Sequence, residues 1–303
     1  MFVENPKFEG KKSEKYKATV VDHPSIIPAR TLEDYKDRFE PVFQIDRTED
    51  GIMTAKWHTL GEELRYGIGF HRGLSQLFED IGQDPDTELL IIGGLGETYL
   101  DGTRFYNLVE ETPNMKWYSY EHMYQDGTKF IESMINDLRI PTIGIINGNA
   151  PHSEIALFCD ITLIAEDAII YDPHFLVGGV AGDGIQIALR GAMGIKRANY
   201  AMMTNEQIDA QKALDYGMVN EVLPREKLFD RAMEIAKFIM TKHRTTRRVQ
   251  SEICKDPWRE LISKNLRADF GREMWLFFAG TEDLDHDKAT QTLKVWQETF
   301  GKK

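Results

Sequence analysis

Apolar and polar positions along the chain fall into two periods, and their alternation sets the expected architecture. In VFQIDRTEDGIMTAKWHT, Val42, Gln44 and Asp46, then Ile52, Thr54 and Lys56, alternate on either side of a Glu-Asp-Gly turn, which predicts a hairpin with Trp57 and His58 at its exit. GEELRYGIGFHRGLSQLFEDIGQ then places Leu64, Ile68, His71, Leu74 and Phe78 at spacings of three and four, the period of an amphipathic helix. ELLIIGG follows as a buried strand. The alternation repeats with YEHMYQDGTKFIESMINDLRI as helix and PTIGIINGNA as strand, then with SEIALFC followed by DITLIAEDAIIYD. Strands buried on both faces between helices predict an α/β body.

From about Arg197 the strands fade and helical stretches dominate: KRANYAMMT, DAQKALDYG, EKLFDRAMEIAKFIMTKH and an amphipathic region from Asp256 to Phe300. Trp258, Phe270, Trp275, Phe277 and Phe278 give this part more apolar surface than one helix layer normally hides, so it either packs internally or reaches another subunit. Residues 1 to 40 are polar, without a sustained period, and read as an extension that wraps the body. The expected division is 1–40 as extension, 41–225 as core and 226–303 as helical C-terminal region.

Composition narrows the functional classes. The chain has 303 residues, enough for a full core, and a net charge of −12, which opposes attraction to nucleic acid or an anionic membrane. The two cysteines, Cys159 and Cys254, lie in no CxxC or CxxH pair, so neither a disulfide framework nor a zinc site is expected, and a reducing cytoplasm fits. The N-terminal residues have no signal-peptide core, and no apolar run approaches the ~18 residues of a membrane span.

Against that background, Asn147 to Gly184 stands out, because His152, His174 and Asp183 sit among apolar runs such as EIALF, ITLIA and AIIY. Burying an imidazole or carboxylate without partners is costly, so chemistry is the leading reason for their presence. Each also has a plainer reading: a core histidine bonded to backbone for His174, a helix cap for His152, ordinary Gly-Asp-Gly turn chemistry for Asp183, and a first-turn carboxylate favoured by the helix dipole for Glu154. His58 reads as a strand-end residue. His23, His71, His122, His243 and His286 have no motif context and read as surface or packing residues. GGLG at 93–96 lacks the order of a phosphate-binding loop.

The hairpin, GGLGETYLDGTRF after a buried strand, IPTIGIINGNA leading to Glu154, CDITLIAEDAIIYDPHF, GVAGDGIQIALRGAMG and the AxxxGxVNxV phrase in ALDYGMVNEVLP resemble the crotonase, or enoyl-CoA hydratase/isomerase, superfamily over roughly residues 42 to 280. That resemblance implies a spiral of ββα units, a helical C-terminal region used for trimerisation, and an oxyanion hole of two backbone amides. One of those amides would come from Leu100–Gly102, with Asp101 in the donor position. The other normally comes from a glycine-rich stretch, where this chain has Pro151 and His152. Proline has no N–H to donate, so an imidazole is placed to polarise a carbonyl instead.

Twenty residues beyond Glu154, where hydratases hold a second catalytic glutamate, stands His174. PHxE, DPHF and a GDG nine residues after the second histidine resemble a smaller branch, the 6-oxocamphor hydrolase type of β-diketone hydrolases. The resemblance implies retro-Claisen cleavage of a carbon–carbon bond between two carbonyls, with neither CoA nor metal as cofactor. His152 matches the carbonyl-binding histidine, and His174 and Asp183 match the pair that delivers water. Trp57 matches a substrate-side tryptophan and Glu273 a C-terminal glutamate. In this chemistry His174 is the base, and Asp183 either orients it or attacks directly. The implied partner is a small diketone, and the implied assembly a homotrimer or dimer of trimers. A CoA-dependent hydratase or isomerase is the alternative, and a catalytically silent member with an assembly role is a third.

Overall fold

The computed structural model describes residues 27, 29–100, 119–279 and 294–300. Most of the 1–40 extension, Asp101, the loop residues up to 118, and His23 and His286 lie outside the described residues. The described end of the extension forms helix α1 (Leu32–Phe39), whose buried Leu32, Tyr35 and Phe39 pack onto the body. Its first turn is closed reciprocally by Thr31 and Asp34, a capping box that satisfies helix-end donors.

The hairpin forms as the alternation predicts, with β1 (Phe43–Arg47) antiparallel to β2 (Ile52–Trp57). Four further strands add in parallel: β3 (Leu89–Gly94), β4 (Thr142–Ile146), β5 (Ile161–Ala165) and an edge strand, Glu221–Leu223. The sheet order is β1-β2-β3-β4-β5 with Glu221–Leu223 at the far edge. β3 and β4 are buried at every position, which is what continuous Leu/Ile runs with helices on both faces require. A second, two-stranded sheet pairs β6 (Ile169–Ile170) with β7 (Ile208–Asp209), so the edge strand is β8.

The helices follow in chain order. α2 (Ile68–Gln83) carries the predicted stripe but starts seven residues later than the GEELRYG segment suggested, because residues 61–67 form an irregular turn. A π-helical turn (Ser119–Gln125) leads into α3 (Asp126–Asn136). α4 (Glu154–Leu157) is a single turn packed so closely on β4 that a Cβ at Gly144 would lie 2.6 Å from the Ala156 carbonyl oxygen. α5 (Ile185–Met193), α6 (Ile195–Thr204), α7 (Ala210–Asp215) and α8 (Leu228–Met240) precede α9, which runs unbroken from Arg244 to Ala279 through Pro257.

Two expectations need correction. Strands do not end near Arg197: β7 and β8 follow, and β8 pairs with β5 to extend the main sheet. The C-terminal aromatics are divided rather than shared by one face. Trp258 meets Phe158 edge-on at 5.1 Å and Phe270 is fully buried, whereas Trp275 is 70% exposed and Phe278 55%. Among the described residues no helix is long and apolar enough to cross a membrane.

Candidate active site

Three short connections converge on one buried cluster. The turn after β4 is tied to β6 by a bridge between Ala150 and Ile170 and by the Ala150 N–H donating to the Ile169 carbonyl at 2.8 Å. His152 lies two residues beyond Ala150, and His174 four beyond Ile170, so this pairing brings the two imidazoles together. Their rings meet edge-on with centroids 5.6 Å apart. Asp183 enters from the Gly-Asp-Gly turn that starts α5. Gly184 adopts φ +123°, which L side chains rarely reach, and a Cβ at Gly182 would lie 2.4 Å from the Asp269 carbonyl oxygen of α9. Both glycines are therefore needed to hold Asp183 where it is.

The distances define the chemistry. Asp183 Oδ2 lies 3.2 Å from His152 Nδ1 and 3.6 Å from His174 Nε2. Glu154 Oε1 is 3.3 Å from His152 Nδ1, and Glu273 Oε1 of α9 is 3.8 Å from His174 Nε2. These contacts are within ion-pair reach but poorly aligned. His152 Nδ1, Asp183 Oδ1, Glu154 Oε2 and Glu273 Oε2 are buried and accept or donate no hydrogen bond. One ligand atom from each of His152, His174 and Asp183 falls within 4.8 Å of the other two.

His174 is oriented from its other side. Its Nδ1 lies 2.7 Å from Asp172 Oδ1, which also accepts the His174 backbone N–H at 3.0 Å. The orienting carboxylate is thus Asp172, two residues upstream, and Asp183 faces Nε2. Of the two roles open to Asp183, orienting His174 through the far nitrogen is the one this geometry removes.

Burial and charge oppose each other at every titrating group here. Burial favours neutral imidazole at His152, but Glu154 and Asp183 reverse this and push it up to about 10. At His174, burial is likewise overcome by Asp183, Asp172 and Glu273, which hold its proton well above the ordinary range. Burial would raise Asp183, yet the two histidines hold it well below the usual carboxylate range. Burial and the Asp183 charge push Glu273 up to about 8, and the same two causes outweigh His152 in raising Glu154. Around neutral pH, Asp183 is the anion and the imidazoles carry protons.

Two residues missed in sequence pack against the cluster. Tyr66 stacks face to face on His152, centroids 4.2 Å apart and planes within 6°, and its hydroxyl hydrogen-bonds His71 Nε2. His71 is buried, packs on Phe130, and burial pushes it down to about 4, so it is neutral. Its signal was the lone polar group in the apolar stripe of α2. Trp57 is different: it is fully buried and donates its indole N–H to the Tyr99 carbonyl at 2.6 Å, so that donor is spent inside the fold. His58 accepts the Gly61 N–H at 2.9 Å, which fits a strand-end role. Asp101 lies outside the described residues, but the approach to it is fixed by Asn147, whose side chain bonds Gly94 N, Gly96 O and Thr98 O.

Comparison with known proteins gives the family. Residues 69–289 match the family described as enoyl-CoA hydratase/isomerase. A curated relative, hydroxycinnamoyl-CoA hydratase-lyase from Pseudomonas fluorescens, is 23% identical over 211 residues, covering 62% of this chain and 75% of the relative. Among solved structures, a beta-diketone hydrolase from the cyanobacterium Anabaena sp. PCC 7120, bound to (S)-3-oxocyclohexyl acetic acid, superposes with a TM-score of 0.74 at 28% identity, covering 80% of this chain and 96% of that one. An enoyl-CoA hydratase/isomerase from Mycobacterium paratuberculosis superposes with a TM-score of 0.71 at 21% identity over 84% of this chain and 98% of that one, a likeness of fold alone. With a matched region spanning most of the described core, the chain belongs to the enoyl-CoA hydratase/isomerase family, the crotonase superfamily.

Proposed function

We propose that the protein hydrolyses a carbon–carbon bond of a β-diketone by a retro-Claisen reaction. The observation that carries this reading is the buried His152–Asp183–His174 cluster, with Asp172 fixing His174 so that Nε2 faces the site. The similarity to a beta-diketone hydrolase bound to a keto acid supports it.

In this reaction His152, as imidazolium, donates from Nε2 to one carbonyl oxygen, taking the place of the amide that Pro151 lacks. Neutral His174, with Nδ1–H held by Asp172, removes a proton from water at Nε2, while Asp183 accepts a hydrogen bond from the O–H that the water keeps. The water oxygen bonds to the carbonyl carbon and the π pair moves to oxygen. When the carbonyl re-forms, the bond to the central carbon breaks and its electron pair becomes an enolate on the second carbonyl. His174 then returns its proton to that carbon, giving a carboxylic acid and a ketone, which for a cyclic diketone are one keto acid.

Because Asp183, Asp172 and Glu273 all favour the protonated ring, the base form of His174 grows as pH rises, and kcat/KM climbs along a limb displaced above the ordinary histidine value. Assembly as a homotrimer or dimer of trimers belongs to the same reading, supported by the exposed Trp275 and Phe278.

The test is incubation with a panel of cyclic β-diketones without CoA, following loss of diketone and formation of keto acid, beside His174→Ala. Turnover that disappears in the variant is the expected result. A second reading, CoA-dependent hydration, is favoured by the relative named as a hydratase-lyase on a CoA thioester. No diketone turnover combined with tight acyl-CoA binding would establish it instead.

A further inference from the structure

The cluster has the makings of a cation site as well as of a catalytic one. One ligand atom from each of His152, His174 and Asp183 lies within 4.8 Å of the others. The two contacts to Asp183 Oδ2, 3.2 and 3.6 Å, bracket the roughly 3.3–3.4 Å between ligand atoms around a tetrahedral ion with bonds near 2.0–2.1 Å. Glu273 Oε1, 3.8 Å from His174 Nε2, lies beside this group.

Two independent features point the same way. His152 Nδ1, one of the ligand atoms, is buried without a hydrogen-bond partner, and so is the second carboxylate oxygen of Asp183, Oδ1. Such atoms are costly to bury unless something meets them. In addition, the Asp172 contact with His174 Nδ1 at 2.7 Å reproduces the carboxylate–histidine pair that stands behind metal-bound imidazoles, fixing the tautomer whose Nε2 lone pair faces inward.

We propose that His152, His174 and Asp183 form a reversible three-residue site for a divalent transition-metal cation of the Zn²⁺ or Co²⁺ class, whose remaining position is open to water. Two imidazoles and a carboxylate without a thiolate select these borderline ions over Mg²⁺ and Ca²⁺, which take all-oxygen sets. The ion takes the position of the cluster's protons, so it binds more tightly as pH rises and releases protons as it enters. It also occupies the nitrogen that must activate water, so it inhibits. That last consequence alone rests on the hydrolase reading.

The experiment titrates the metal-stripped full chain with Co²⁺, following its visible d–d absorption and the stoichiometry by calorimetry, then displaces Co²⁺ with Zn²⁺. The expected result is one ion per chain with the intensified spectrum of a low-coordinate site. His174→Gln and Asp183→Asn should each lose the spectrum, and Asp172→Asn, which removes no ligand, should weaken binding by about 10–100-fold. Circular dichroism confirms that each variant is folded, and His152→Gln stands in for any that is not. Absence of binding by the wild type, or binding unchanged in folded His174→Gln and Asp183→Asn, overturns the proposal. Binding with no diketone turnover would leave it standing and sink only the hydrolase reading.

Discussion

Asp84 and Asp183 are both almost fully buried carboxylates, at 2% and 4% exposure, and their surroundings differ completely. Asp84 Oδ2 accepts from the Tyr35 hydroxyl at 2.8 Å, Arg47 Nη1 at 2.7 Å and the Thr87 hydroxyl at 3.0 Å, while Oδ1 accepts the Asp86 N–H at 2.9 Å. It locks α1, the hairpin and the turn before β3 together. Asp183 has one oxygen without a partner and another shared at long range between two imidazoles. Satisfied buried charge marks a joint of the fold. Buried charge left short of partners marks a site awaiting its ligand.

The contrast yields a graded set of predictions. Asp183→Asn and His174→Ala should each lower diketone turnover by about 10²–10⁴-fold, with the unfolding midpoint unchanged or raised. Loss of stability on the scale of an Asp84 variant would break the comparison. Conversely, Asp84→Ala takes its carboxylate from the part-buried Arg47 and its acceptor from Tyr35, and should cost about 3 kcal/mol in denaturant unfolding, with activity per folded molecule retained. Asp172→Asn permits the wrong tautomer of His174 and should lower kcat by about 10²-fold or more with KM little changed.

Smaller effects sharpen the comparison through pH. Glu273 helps hold the His174 proton once it ionises near pH 8, so Glu273→Gln should shift the ascending limb of kcat/KM to lower pH. A limb that stays in place would remove Glu273 from the electrostatics of the base. His71 has the opposite sign of the other two histidines. Its folded value, pushed down to about 4, lies below the ordinary 6.5, so its contribution is complete above that value and is lost as pH falls toward 4. Thermal melts of wild type and His71→Asn should converge across that window.

Much of this was legible before any coordinates. Continuous apolar runs announced β3, β4 and β5, and the nine-residue interval from His174 to Asp183, bounded by two glycines, singled out a carboxylate that turn chemistry alone would have explained. Other parts were hidden for physical reasons. Asp172 sits beside Pro173 and reads as a turn former, and only the backbone path shows its carboxylate returning to the His174 ring. Tyr66, in the turn before α2, reaches His152 by a long-range stack with no local signature, and His71 is held behind it by the packing of α2 on α3. Trp57 misled because a tryptophan at a strand end gives no sign of where its N–H is spent. β8 is three residues long and only half-buried, too short for any period to show.

The parallel stacking of Tyr66 on His152 also gives that histidine a spectroscopic mark. At 4.2 Å and 6°, the carbon-bound protons of the imidazole lie within the shielding cone of the phenol ring. Their resonances should be displaced upfield of those of an unstacked imidazole. A spectrum recorded across pH would then follow one proton at the heart of the cluster, without mutation or label at the site, and would register at once anything that displaced it.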